Sequence, residues 1–175
     1  MSSNTFKVTV QDVPRKHLVG NWMSLNAAAD QEDYEALWQV FSKRLSQVPG
    51  LGNGTSYGVC ANLQENLDCH YWTAIENLPG MPIPKGMVAI AVSDGPYVCL
   101  SNAFRVNLDE AYDYLCDQWE RSQSTFVVDR QKPCFEQYDC GSAGLRGAFK
   151  LFVPLKLRRA KSVRPDLAAM MSAAV

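Results

Sequence analysis

Cys134-Phe135-Glu136-Gln137-Tyr138-Asp139 is the stretch on which the reading of this chain turns. It sets a carboxylate between two aromatic residues in a pattern that reads as a β-strand. Side chains along a strand alternate faces with a period of two. Cys134, Glu136 and Tyr138 therefore share one face, and Phe135 takes the other. If the first face lines an apolar pocket, Glu136 is a lone buried charge that calls for a cation. If it faces water, as most strand glutamates do, it carries no chemistry.

Working outward, Gly147 to Leu155 reads as the strand that follows, with Phe149, Leu151, Val153 and Leu155 on one apolar face and Lys150 and Phe152 on the other. Phe126-Val127-Val128 is a short apolar segment suited to pair with the Glu136 strand. Before it lies a helix opened by Asn107, with Glu110 three residues on in a capping-box arrangement. Its apolar face is Leu108, Ala111, Tyr112, Leu115, Cys116 and Trp119. Tyr97 to Leu100 reads as a strand. Met87 to Val92 is a near-continuous apolar run, which implies a strand buried on both faces.

Leu78 to Gly86 is rich in proline and glycine and reads as a mid-chain linker. On its far side the same order appears. Phe6 to Val10 alternates like a half-buried strand, and His17 to Met23 is a second strand with Gly20 as a candidate bulge. Asp30 caps a helix whose face is Tyr34, Leu37, Trp38, Phe41, Leu45 and Val48, and Pro49-Gly50 stops it. Trp38 and Trp119 fall on these faces and belong to the core. Leu51 to Ser56 is a glycine-rich loop without the lysine and helix of a phosphate-binding loop. Tyr57 to Ala61 and His70 to Ile75 are strands joined by a polar turn at Gln64-Glu65-Asn66. The expected fold is α+β: duplicated strand-strand-helix-strand(-strand) halves, antiparallel sheets with helices on one side, and a central groove where the sheets meet. Glu136, Phe152 and one face of the 70–75 strand are expected to converge there.

The 175 residues fit one domain or two small halves sharing a core. The formal net charge of −1 gives no electrostatic case for direct nucleic-acid binding. No apolar run approaches the roughly 18 residues that span a membrane. Met1 to Thr5 lacks the basic and apolar regions of a secretory signal, which points to a cytoplasmic protein. The six cysteines (60, 69, 99, 116, 134 and 140) contain no Cys-x-x-Cys pair and read as reduced thiols. With only His17 and His70 beside them, no metal site or cofactor is expected. Lys156 to Lys161, with Arg164, reads as a solvated basic terminus. Asp166 to Val175 suits either a short helix docked on a partner or a frayed end.

Tyr57-Gly58-Val59, His70 to Ala74, Met87 after the linker, Trp119 to Ser122, Phe135-Glu136-Gln137-Tyr138 and Phe152 to Leu155 occur in the order found in bacterial effector-binding domains. The chain resembles these gyrase-inhibitor-like ligand-binding modules of AraC- and MerR-type regulators over roughly residues 5–157. The resemblance implies a single effector-binding domain over 1–157, with pseudo-repeats 6–78 and 87–155 and a tail at 158–175. It implies a binding module rather than an enzyme, with the acid of the Phe-Glu-x-Tyr motif, here Glu136, meeting cationic, lipophilic compounds. Tyr71 and Phe152 match its aromatic pocket positions, and Trp72, Trp22 and Tyr138 are further candidates for aromatic walls. Three departures stand out: Lys150 where relatives often carry Glu, Ala74 for a common Gly, and Glu120-Arg121 for a Leu-Pro pair. Lys150 matters most, because a cation beside the pocket would pair with Glu136. Two other classes stay open. One is a small-molecule hydrolase, with Glu136 activating water and Tyr71 orienting it. The other is a protein-interaction module like the gyrase inhibitors. No DNA-binding segment is visible, so regulation would need a separate DNA-binding partner, and a homodimer is the other expected assembly.

Overall fold

The computed structural model describes residues 7–26, 28–49, 54–62, 68–101, 107–139 and 149–158. Several sequence readings lie outside those residues: Phe6, the 51–53 part of the glycine-rich loop, the 64–66 turn, Cys140, the 147–148 start of the last strand and the tail from 159. The strands are β1 (Lys7–Val13), β2 (Lys16–Leu25), β3 (Ser56–Ala61), β4 (Cys69–Glu76), β5 (Val88–Val92), β6 (Gly95–Ser101), β7 (Phe126–Val128), β8 (Cys134–Tyr138) and β9 (Phe149–Leu157). They form one antiparallel sheet in the order β1-β6-β9-β8-β3-β4-β2-β5, with β7 attached to β9. Each half lends its first strand to the other: β1 pairs with β6, and β5 pairs with β2. The seam between the halves is the β3–β8 pair, and its middle residues are Gly58 and Glu136. The expected α+β architecture is the one found.

Helix α1 (Gln31–Ser42) is fixed at its start by a capping box in which the Asp30 carboxylate accepts the Glu32 and Asp33 amides while Asp33 accepts that of Asp30. It ends at Ser42, well before Pro49-Gly50, and a 3-10 turn at Leu45–Gln47 fills the interval. Helix α2 begins at Leu108–Asp113, with the Asn107 side chain accepting the Glu110 amide at 2.7 Å. It widens into a π-helix over Tyr114–Trp119 and closes with an α turn at Glu120–Ser122.

Both helices lie on the same side of the sheet. Trp38 and Phe41 of α1, with Ala111, Leu115 and Trp119 of α2, pack against Val19, Ile75, Tyr138, Leu151 and Val153. On the other side the sheet curls. Val13 and Tyr97 from one end of the strand order meet Leu18 and Val92 from the other, around Tyr57, Val59, Phe135 and Phe152. Burying a Leu, Val or Phe side chain contributes about 1.5–3 kcal/mol, so the two aromatic-rich layers carry most of the fold's stability.

Four local expectations are corrected. β5 is an exposed edge strand rather than one buried on both faces, because only β2 borders it and only Val92 is buried. β7 pairs with β9 and not with the Glu136 strand, whose two edges are taken by β3 and β9. Gly20 is not a bulge. It lies in unbroken register between Ala74 and Val88, and a Cβ there would fall 1.9 Å from the Thr73 carbonyl oxygen. Finally, Glu136 and Phe152 do not converge, because the sheet lies between them. Among the described residues no helix is long and apolar enough to cross a membrane.

Candidate functional site

Glu136 sits in the middle of β8 with neighbours on both edges, Gly58 of β3 and Leu151 of β9. Its side chain points to the helix-covered face and is 0 % exposed. Three tyrosines from three elements meet it. Tyr71 of β4 donates its hydroxyl to Oε2 at 2.6 Å, and Tyr112 of α2 donates to Oε1 at 2.9 Å. Tyr138, two residues along β8, approaches Oε2 at 3.4 Å. Tyr34 of α1 stands edge-on to Tyr71 at 4.9 Å between centroids, and Trp38 stands edge-on to Tyr138 at 5.2 Å.

Gly58 makes this convergence possible. A Cβ at that position would lie 1.9 Å from Glu136 Oε2 and 2.2 Å from the Tyr71 hydroxyl. The carboxylate and the phenol occupy the space that any other residue would fill.

Among the described residues no basic side chain is paired with the charge. The described ion pairs are Lys16–Glu76, Asp117–Arg121, Glu120–Arg130 and Asp129–Lys156, and none involves Glu136. Burial pushes the Glu136 carboxyl above the usual carboxylate range, while the hydroxyls of Tyr71, Tyr112 and Tyr138 pull it back only in part. The three phenols are raised well above their ordinary value, first by burial and then by the neighbouring carboxylate. They therefore stay protonated and act as donors.

Beside the acid, Cys60 of β3 lies opposite Cys134 of β8. Burial raises the Cys134 thiol, and a thiol hydrogen bond with Cys69, together with burial, raises that of Cys60. Both are neutral, polarizable surfaces. Among the described residues no group of three or more His, Cys, Asp or Glu is placed to hold a metal ion.

Of the six candidate residues, the structure brings Glu136, Tyr71 and Tyr138 together. Phe152, Trp72 and Trp22 are on the opposite face of the sheet. Phe152 stacks on Phe135 at 4.4 Å and 7°, and Trp22, 42 % exposed, stacks on Trp72 at 5.5 Å. Tyr71 and Trp72 are consecutive in one strand, so strand alternation forbids both from lining one pocket. Lys150 is exposed and shares the Phe152 face, with Gln137 as its neighbour across the strands. It cannot neutralise Glu136.

Two contributors were missed. Tyr112 reads as a core position because it falls on the apolar face of α2; only its hydroxyl marks it out. Gly58 reads as one glycine among many until the close approach of the carboxylate is seen.

The model of the GyrI-like small molecule binding domain matches residues 6–155. The chain belongs to the GyrI-like family. No curated protein matches. Among solved structures, this GyrI-like domain is similar to SAV2435, solved bound to tetraphenylphosphonium, at 15 % identity and a TM-score of 0.63, over 86 % of this chain and 94 % of that one. It is similar to the C-terminal domain of EcmrR, a protein also seen in complex with DNA, at 14 % identity and a TM-score of 0.64, over 86 % and 98 %. An integron cassette protein from the mobile metagenome of Vibrio cholerae shares 16 % identity at a TM-score of 0.57, over 86 % and 97 %. A hydrolase from Listeria innocua is more distant, at 10 % identity and a TM-score of 0.51, over 86 % and 92 %. At these identities the likeness to solved structures is one of fold.

Proposed function

We propose that this GyrI-like domain binds lipophilic monocations at Glu136, with Tyr71, Tyr112 and Tyr138 as the polar collar and Tyr34 as an outer wall. The observation that carries the proposal is a fully buried carboxylate that holds three tyrosine hydroxyls and, among the described residues, no cation. Such a group is held in a medium that penalises its charge. A cation that is itself apolar restores the missing partner at little dehydration cost, and each tyrosine face adds about 0.5–2 kcal/mol of cation–π attraction. A small hydrated ion loses more water on entry and gains less. SAV2435, of similar fold, was solved with such a cation. A second copy of the domain or a DNA-binding chain as the reader of the bound state belongs to the same proposal.

The raised carboxyl gives the test its shape. Cation binding favours the ionised form, so it releases a proton from Glu136. Affinity for tetraphenylphosphonium is expected to rise about tenfold per pH unit below the raised pKa of the free site and to level off above it. Folding stability runs the other way. With the native pKa above the unfolded one, the protonated acid's contribution is complete below the ordinary carboxyl value and is lost as pH rises through the raised one. Calorimetric titrations in buffers of different ionisation heat read the proton release. Affinity independent of pH, with no proton released, would count against Glu136 as the cation's partner.

The fold of the Listeria hydrolase supports a second reading. A carboxyl held above its usual range beside Tyr71 is chemically competent to take a proton from water. The binding reading expects a panel of activated esters and strained electrophiles to be turned over no faster by the wild type than by Glu136→Ala. Product formation that disappears in Glu136→Ala would reverse the order of the two readings.

A further inference from the structure

Two polar atoms on the tyrosine face of the sheet are buried and hold no hydrogen bond among the described residues: Thr73 Oγ1 and Asn21 Oδ1. They continue the line of the acid across the sheet. Glu136 faces Gly58, Gly58 faces Thr73 and Thr73 faces Asn21. Thr73 is 0 % exposed. It lies two residues beyond Tyr71 on β4, on the same face of the sheet.

The Tyr71 hydroxyl hangs over Gly58, 2.2 Å from the place of its missing Cβ. Cross-strand neighbours hold their Cβ atoms about 4.5–5.5 Å apart. The Thr73 side chain is thus roughly one strand spacing from the Tyr71 hydroxyl.

We propose that Thr73 is the second berth of the Tyr71 hydroxyl, the one it takes when a cation without hydrogen-bond donors occupies Glu136. The inference rests on the reading of Glu136 as the cation's partner. A bulky onium ion that takes the face of the carboxylate displaces tyrosine donors and returns no hydrogen bond to them. The three tyrosines differ in what they then face. Tyr112 is carried by α2 and is only half-buried as a residue, and Tyr138 gives up only a long contact. Tyr71, 1 % exposed and holding the shortest of the three bonds, has no water to turn to. An orphaned hydroxyl in a dry core pays its full desolvation penalty.

Thr73 removes that penalty without leaving another polar group stranded. The Tyr71 hydroxyl donates to Thr73 Oγ1, and the Thr73 hydroxyl donates to Asn21 Oδ1, so each link has one donor and one acceptor. A protonated amine does not need the berth. Its own N–H groups bond the carboxylate alongside the phenol, and Tyr71 stays where it is. Thr73 therefore sets the class of cation accepted, admitting phosphonium and quaternary ammonium ions beside protonated amines.

The test is a double-mutant cycle read by calorimetric titration with two monocations of similar bulk, tetraphenylphosphonium and 3,3,3-triphenylpropylammonium. Thr73→Val keeps the shape and removes the hydroxyl. It is expected to weaken tetraphenylphosphonium about tenfold and the primary ammonium by no more than about twofold. In the Tyr71→Phe background, where no hydroxyl needs a berth, Thr73→Val is expected to change neither, and Thr73→Ser keeps wild-type affinity for both. The apo melting temperature of Thr73→Val should equal or exceed that of the wild type. Equal losses for the two cations, the same loss in the Tyr71→Phe background, no loss at all, or a lowered melting temperature would each overturn the berth. Glu136→Gln separates the two levels. If it leaves tetraphenylphosphonium affinity unchanged, the reading of Glu136 fails and the berth with it; if it weakens binding while Thr73→Val does not, the berth alone fails.

Discussion

Glu136→Gln is expected to weaken binding of a lipophilic monocation by about 2–4 kcal/mol, the scale seen when one member of a desolvated charge pair is removed. That corresponds to roughly 30- to 1,000-fold in affinity. Glutamine keeps the shape of the side chain and still accepts a tyrosine hydroxyl, so the change isolates the charge. A neutral ligand of equal size should lose much less. The size of the effect follows from full burial and from the absence of a competing cation among the described residues, Lys150 lying on the far face of the sheet. An exposed pair would be worth only about 0–1 kcal/mol. The free protein should be as stable as wild type or slightly more so, because an uncompensated buried carboxylate is a burden on folding. Matched cationic and neutral dyes titrated into both proteins decide the matter. Equal losses for both dyes, or none for either, would reduce Glu136 to a structural residue of β8.

What the sequence made legible was local and periodic. The alternation in Cys134 to Tyr138 placed Glu136 and Tyr138 on one face, and both helix caps, Asp30 and Asn107, are where their residue types put them. What it could not carry was neighbour identity across the sheet. Val88 to Val92 has the apolar run of a central strand, yet the exchange of first strands leaves it at an edge. Phe152 and Trp72 have the right chemistry for an aromatic pocket, and only the register shows them on the face of β9 and β4 away from Glu136. Tyr112 was hidden for the opposite reason. Its position on α2 is a core position by periodicity, and its hydroxyl gained a partner only when α2 packed over β8 of the same half. The π-helix at Tyr114–Trp119 left no mark in the apolar spacing.

The seam also explains why only one of its two facing strands carries an acid. The β3–β8 pairing runs from Ser56 opposite Tyr138 to Cys60 opposite Cys134, so Gly58 and Glu136 are its middle pair. Two carboxylates there would face each other at cross-strand distance in a buried site, where like charges repel and at most one ionises. One half therefore supplies the acid and the other supplies room for it. Gly58 is not among the residues of positive φ, so backbone freedom is not its reason; space is. Gly58→Ala places a methyl group 1.9 Å from Glu136 Oε2 and 2.2 Å from the Tyr71 hydroxyl, and both are packed in place. Overpacking of this kind costs about 1–3 kcal/mol, which for a chain of this length lowers the melting temperature by roughly 2–12 °C. The Tyr71–Glu136 bond has to break as well, so cation affinity should fall with stability. The decisive comparison is the same substitution in a Glu136→Ala background, where the carboxylate no longer occupies the space. There Gly58→Ala should cost at least about 1 kcal/mol less than in the wild type. An equal loss of melting temperature in both backgrounds would mean that the β3 backbone, and not the carboxylate above it, requires the glycine.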